Sequence, residues 1–139
     1  MLMEAAELKG PSLPGRVLVV SKDREFIRRV RSSGMRETGS PQYVVEAGDP
    51  LSAVLHLLES PIRVVIYDLD KEMEPTDMTA LRAIRLSART ASIILCASDH
   101  STLLPEPLDE IGIYYRLVKS APEMELRTAM TSAQRFPHR

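Results

Sequence analysis

Residues 64–66 read Val-Val-Ile, a short continuous apolar run of β-branched residues that charge closes at Asp68 and Asp70. A half-buried strand alternates apolar and polar residues, so an unbroken run points to a strand buried on both faces of a parallel sheet. Four further runs resemble it: residues 16–20, 43–47, 92–96 and 113–118. Stretches with helical spacing separate them. Strands alternating with helices in this way imply right-handed crossovers and a parallel sheet covered on both sides. The predicted fold is therefore α/β and doubly wound, with five strands in the flavodoxin-like order 2-1-3-4-5. In such sheets ligands bind beyond the carboxyl ends of the strands, which is where Asp68 falls.

The connecting segments carry their own punctuation. Asp23 is placed to cap a first helix whose buried stripe is Phe26, Ile27 and Val30, and Ser32-Ser33-Gly34 is its predicted end. Arg24, Arg28, Arg29 and Arg31 form a basic side on that helix, read as solvated. Asp49-Pro50 opens a second helix, with Leu51, Val54, Leu55 and Leu58 as its predicted apolar stripe. A third helix, capped near Thr76 or Asp77, is expected to bury Leu81 and Ile84, with Met78 and Leu86 close to that stripe. Pro105 and Pro107 fall inside the fourth helical segment, and an interior proline costs ~3 kcal/mol or more, so that helix must be short or irregular. Ser120 and Glu123, three apart with a proline between them, predict a capping box for the last helix, which buries Leu126, Ala129, Met130 and Ala133. Gly10, Pro11, Pro14 and Gly15 exclude a long regular element at the start. The predicted organisation is a flexible tail over 1–15, one domain over 16–135 and a short tail over 136–139.

Composition removes several function classes. The formal net charge of −1 argues against a dedicated nucleic-acid binder, and the one cysteine, Cys96, cannot form an internal disulfide. No apolar run approaches the ~18 residues of a membrane span, so a cytoplasmic location is expected. There is no glycine-rich phosphate loop, and His56, His100 and His138 are scattered away from any nucleophile, so no enzyme activity is expected.

From Arg16 to Arg135 the chain resembles the receiver domain of bacterial two-component response regulators. The likeness rests on Arg16-Val-Leu-Val-Val-Ser-Lys-Asp23, on the segment Val45 to Glu59, on Val64-Val-Ile-Tyr-Asp-Leu69 and on Leu117-Val-Lys119. The resemblance implies that Asp68 matches the phosphoacceptor and Lys119 the lysine that contacts the phosphoryl group. At the positions of the family's acidic pair stand Ser21 and Lys22, and Cys96 occupies the hydroxyl position. Mg²⁺ wants hard oxygen ligands, usually one or two carboxylates with water and phosphate. An ammonium at Lys22 beside Asp68 is expected to replace the metal's charge with fixed protein charge. Metal ligation, were it to occur, would fall to Asp23, Asp68 and Asp70. The thiol of Cys96 is read as a small buried group at a strand end rather than an activated one.

The resemblance thus implies a pseudo-receiver: a signalling module for protein–protein interaction, without standard Mg²⁺-dependent phosphorylation and without a cofactor. Its expected interaction face is the family's fourth helix, fifth strand and fifth helix, here Leu103, Leu104, Leu108, Tyr114, Tyr115 and Arg116. Other signalling proteins, or a second copy in a homodimer, are the expected partners. Two alternatives stand beside it. One is a working receiver phosphorylated on Asp68, with Mg²⁺; the other is a polyanion or nucleic-acid binder using Arg24, Arg28, Arg29 and Arg31.

Overall fold

The structure, a computed structural model, describes residues 15–39, 43–69, 73–98, 108–136 and 138, with 36–38 and 108–109 described as backbone only. The elements follow in the order β1 (Arg16–Val20), α1 (Arg24–Thr38), β2 (Val44–Ala47), α2 (Pro50–Glu59), β3 (Ile62–Asp68), α3 (Pro75–Ser87), β4 (Ser92–Ala97), α4 (Leu108–Ile111), β5 (Ile113–Val118) and α5 (Glu123–Arg135). The sheet has five parallel strands in the order β2-β1-β3-β4-β5, as the sequence predicts. β3 lies in the middle, and Val64, Val65 and Ile66 are fully buried.

Two cores flank the sheet. One gathers Val17, Val19, Ile66 and Leu117 from the strands with Phe26, Ile27 and Val30 of α1 and Leu126, Ala129, Met130 and Ala133 of α5. The other gathers Leu18, Val65, Tyr67 and Leu95 with Ala53 and Leu57 of α2, Ala80, Leu81 and Ile84 of α3, and Ile111 at the end of α4. Successive strand residues point to opposite faces, which is how one apolar run supplies both cores.

Several local expectations are corrected. α1 does not end at Gly34 but continues to Thr38, where Gly39 takes the left-handed conformation at φ 73°. Gly34 is in the helix for a different reason. A Cβ there would lie 2.6 Å from Val44 Cγ2 and 2.7 Å from Tyr43 Cδ2, so the glycine permits close approach of α1 to β2. The N-cap of α3 is Glu74, two or three residues earlier than predicted, with Pro75 following and Asp77 Oδ2 accepting from Glu74 N at 2.9 Å. Ser120 caps nothing; α5 begins after Pro122 without a side-chain cap.

The largest correction concerns α2. Its buried residues are Ala53 and Leu57, while Leu51, Leu55 and Leu58, predicted as the core stripe, are 72%, 52% and 67% exposed. At 100° per residue these three leucines lie opposite the buried pair.

Four residues of α4, Leu108–Ile111, are described; Pro105 and Pro107, from which a short fourth helix is predicted, lie outside the described residues. A side chain from the neighbouring helix holds its end. Arg85 of α3 donates to Ile111 O at 2.7 Å and Gly112 O at 3.1 Å, and also to Ala88 O at 3.0 Å and Ala91 O at 2.6 Å. Burial pushes its pKa down, and the guanidinium is held by carbonyl dipoles rather than by a carboxylate.

Candidate functional site at the strand ends

β1 and β3 are neighbours, so Ser21, just past the end of β1, and Asp68, the last residue of β3, meet at the carboxyl edge of the sheet. Ser21 Oγ donates to Asp68 Oδ2 at 2.6 Å and accepts from the Asp23 backbone N–H at 3.0 Å. β5 lies two strands away and delivers Lys119 from just beyond its end. Lys119 Nζ donates to Asp68 Oδ2 at 3.0 Å and to Asp23 Oδ2 at 2.8 Å. It also stands 5.3 Å from the centre of the Phe26 ring, a cation–π distance.

These groups differ sharply in exposure. The Asp68 side chain is 1% exposed, that of Lys119 19% and that of Asp23 38%. The hydrogen bond from Lys119 holds the Asp23 carboxyl below its ordinary range, with help from the Phe26 backbone N–H. Burial pulls the Lys119 ammonium down and is the largest single influence. Its hydrogen bonds to Asp23 and Asp68 together outweigh that, and the net direction is up. Asp23 has a second task, because its Oδ1 accepts from Glu25 N at 3.1 Å and Phe26 N at 3.3 Å as the N-cap of α1.

Lys22 is placed differently from expectation. Its side chain is exposed and makes no hydrogen bond or ion pair with a described residue. Residues 21 and 22 point to different sides, as successive residues leaving a strand do. Asp68 therefore has Lys119, and not Lys22, as its described cation. Cys96 lies at the other side of Asp68, fully buried in β4, and its backbone carbonyl accepts from Leu69 N at 2.8 Å. Burial, and next the Asp68 charge, push its thiol far above the usual range, so it offers no thiolate at neutral pH. Asp70 lies outside the described residues.

Arg29 was assigned to a solvated basic face, yet it is part of this site. Its guanidinium donates to Lys119 O and, at 2.6 Å, to Ala121 O, tying the turn after β5 to α1. Its spacing from the other arginines hides that role, since only the tertiary fold brings Lys119 to it. The remaining arginines of the predicted polyanion face are also engaged. Arg24 and Arg31 both reach Glu46, at 2.7 and 2.6 Å, and Arg28 pairs with Glu25 within the helix. That side carries alternating charge rather than a basic surface, which weakens the polyanion alternative.

On the β5–α5 side, Tyr114 and Tyr115 are about two-fifths exposed and Arg116 is exposed. Both hydroxyls are tied to α5: Tyr114 to Ser132 Oγ at 2.5 Å, and Tyr115 to Glu125 Oε2 at 2.9 Å. A hydrogen bond to Glu125 raises the Tyr115 pKa. With Thr128 and Ala129 these side chains line a groove of about 500 Å³. Leu103 and Leu104 lie outside the described residues, and Leu108 is described as backbone only.

No family model and no curated protein matches the chain by sequence. Solved structures do match. A signal receiver domain of an HD domain-containing protein from Pseudomonas fluorescens Pf-5 superposes with a TM-score of 0.73 at 20% identity, covering 93% of each chain. A response regulator from Thermotoga maritima gives 0.71 at 16% identity, covering 88% of this chain and 99% of its own. The chain has the receiver fold. A signal receiver domain of a putative Luxo repressor protein from Vibrio parahaemolyticus is a further neighbour, with a TM-score of 0.69 at 20% identity over 88% of this chain and 92% of that one. Within the receiver fold, Asp68 and Lys119 come together at the strand ends while Ser21 and Lys22 diverge. No described helix is long and apolar enough to cross a membrane.

Proposed function

We propose that the chain is a pseudo-receiver, a signalling module that binds a partner protein without Mg²⁺-dependent phosphorylation. The observation that carries this reading is the Ser21 hydroxyl donating into the Asp68 carboxylate at 2.6 Å. Metal ligation needs an oxygen lone pair at that place, preferably from a carboxylate, and here a proton points at Asp68 instead. Lys119 supplies a second donor to the same oxygen. Asp23 is the other described carboxylate nearby, and it is engaged by Lys119 and by the cap of α1. Among the described residues no group of three His, Cys, Asp or Glu side chains is placed to hold a metal ion. This donor set does not suit Mg²⁺, so no phosphoryl-transfer step is assigned to it. In this reading Asp68 is a structural carboxylate neutralised by Lys119.

The partner surface is assigned to Tyr114, Tyr115 and Arg116, with Leu103, Leu104 and Leu108 from the preceding segment. Tyrosine and arginine are common interface anchors. Both tyrosines are held in place by α5, so little side-chain entropy is lost when a partner arrives. Binding is then independent of any phosphoryl signal.

An amide NMR titration tests the site. Millimolar Mg²⁺, alone and then with beryllofluoride, is expected to leave residues 20–23, 68–69 and 119 without saturable shifts. Saturable shifts confined to those residues would establish the working phosphoacceptor on Asp68 instead. For the surface, partner capture should survive Asp68→Asn and fail with Tyr115→Ala or Arg116→Ala.

A further inference from the structure

We infer that the groove between β5 and α5 takes an arginine side chain of the partner protein, its guanidinium stacked on a tyrosine ring and donating to Glu125. The inference rests on the β5–α5 side being the partner surface, and it adds the chemistry of the anchor. A slip in the edge strand builds the groove. Ile113 pairs with Ile93, but the next pair is Tyr115 with Ile94, which leaves Tyr114 as an extra residue. Consecutive residues of a regular strand point to opposite faces. The extra residue re-aims one of them, as β-bulges do, and both tyrosines reach α5, Tyr114 at Ser132 and Tyr115 at Glu125. Two aromatic rings thus line one groove with Glu125, Thr128, Ala129 and Ser132. Its volume of about 500 Å³ falls within the ~300–1,000 Å³ of small-ligand pockets, room for one long side chain and its backbone.

The charge of the groove chooses what fills it. Spacings of three, one and three put residues 125, 128, 129 and 132 on one stripe of α5, and Glu125 is the only charged residue of the four. Half-buried, it accepts from the Tyr115 hydroxyl through Oε2 and forms no ion pair with a described residue. The nearest cations are placed elsewhere. Arg116 pairs with Leu95, which belongs to the core under α2 and α3, so Arg116 leaves β5 on the other face. Arg127 turns to Glu123, at 2.8 Å, and Lys119 is held by Asp23 and Asp68. Arg135 stands at the far end of α5, about 15 Å along the helix from Glu125.

A carboxylate without a described counter-ion, beside two tyrosine rings, suits a cation with a flat apolar face. Guanidinium meets both demands. It stacks on aromatic faces and donates to a carboxylate in a fixed fork, whereas an ammonium is a strongly hydrated point charge.

Amide NMR of the full chain tests this with the capped peptide acetyl-Gly-Arg-Gly-amide and its lysine and citrulline counterparts. Citrulline keeps the shape of arginine and loses its charge. The arginine peptide should give saturable shifts at residues 114, 115, 125, 128, 129 and 132, with the millimolar Kd of a single anchor. The citrulline peptide should bind roughly tenfold more weakly, and the lysine peptide roughly threefold. Glu125→Gln should weaken the arginine peptide roughly tenfold, and Leu55→Lys, on the opposite side of the sheet, should leave it unchanged. Equal binding of the arginine and citrulline peptides overturns the proposal, and so does equal binding of the arginine and lysine peptides. So does an arginine peptide indifferent to Glu125→Gln. Groove shifts that follow chain concentration with no peptide present would place a second copy there and overturn it too. Partner capture separates the two readings. Capture that fails with Tyr115→Ala but survives Glu125→Gln keeps the partner surface and overturns the arginine anchor, whereas capture that survives both variants removes the surface itself.

Discussion

α1 and α2 occupy corresponding places on opposite faces of one sheet, and their outer sides are opposites. Every described arginine on the outer side of α1 is engaged within the chain, with Glu25, Glu46 or the Lys119 turn. The outer side of α2 carries three leucines facing water. The difference teaches that exposure of a residue type means little without its partners. Charges that look available can be satisfied at home, and an apolar stripe that looks like core can be the surface.

The sharpest way to break the comparison is within α2 itself. Leu57→Ala should destabilise the fold by about 2–5 kcal/mol, because it empties a buried site. Leu55→Ala, two residues away, should change stability by no more than about 0.5 kcal/mol in dilute solution. Equal losses in urea melts would put the leucine seam in the core and remove the contrast.

On α1 the corresponding test is Gly34→Ala. Helix propensity alone favours alanine by about 1 kcal/mol, but the new methyl would overlap Val44 and Tyr43. Overpacking of this kind costs about 1–3 kcal/mol, so net destabilisation of about 1 kcal/mol is expected in a thermal melt. Stabilisation would mean that α1 and β2 separate easily.

Asp23→Ala removes the α1 cap and should cost about 1 kcal/mol. The pH dependence has a definite sign. Asp23 titrates lower in the folded chain than its ordinary value, so its contribution is present above that value and is lost as pH falls through the folded pKa. Lys119, raised on folding, contributes fully below its ordinary value and loses that contribution as pH rises through the folded pKa. NMR titration of Asp23 should show its midpoint move up in Lys119→Met. An unmoved midpoint would mean that the pair does not form in solution.

The smallest effect should come from Arg24→Ala. Its pair with Glu46 is exposed, and such pairs are worth about 0–1 kcal/mol. A larger loss would show the outer side of α1 to be a coupled network.

The middle of the sheet was legible because β1, β3 and β4 each carry one apolar run, and a run buried on both faces needs no phase to be recognised. Helix phase was legible on α1, where arginines interrupt the apolar positions and leave Phe26, Ile27 and Val30 as one stripe. On α2, with Leu51, Val54, Leu55, Leu57 and Leu58 in eight residues, periodicity cannot tell inside from outside; packing of the small Ala53 decided it. At the site, the meeting of Asp68 with Lys119 followed from the strand order. The outward turn of Lys22 and the reach of Arg29 did not, since both depend on side-chain directions that only the assembled edge of the sheet fixes.

The tie between Lys119 and its partners also bears on how the molecule comes together. Lys119 is 96 residues from Asp23, 51 from Asp68 and 90 from Arg29 along the chain. Closing loops of that length costs entropy before any contact returns it, and parallel sheets assemble slowly for this reason. β1 and β3 with their helices can pair without the last third of the chain, but the ammonium reaches Asp68 only when β5 has docked. The buried carboxylate therefore waits without its described cation until the last strand arrives. During synthesis or refolding, the electrostatics of this edge would record whether the sheet is complete.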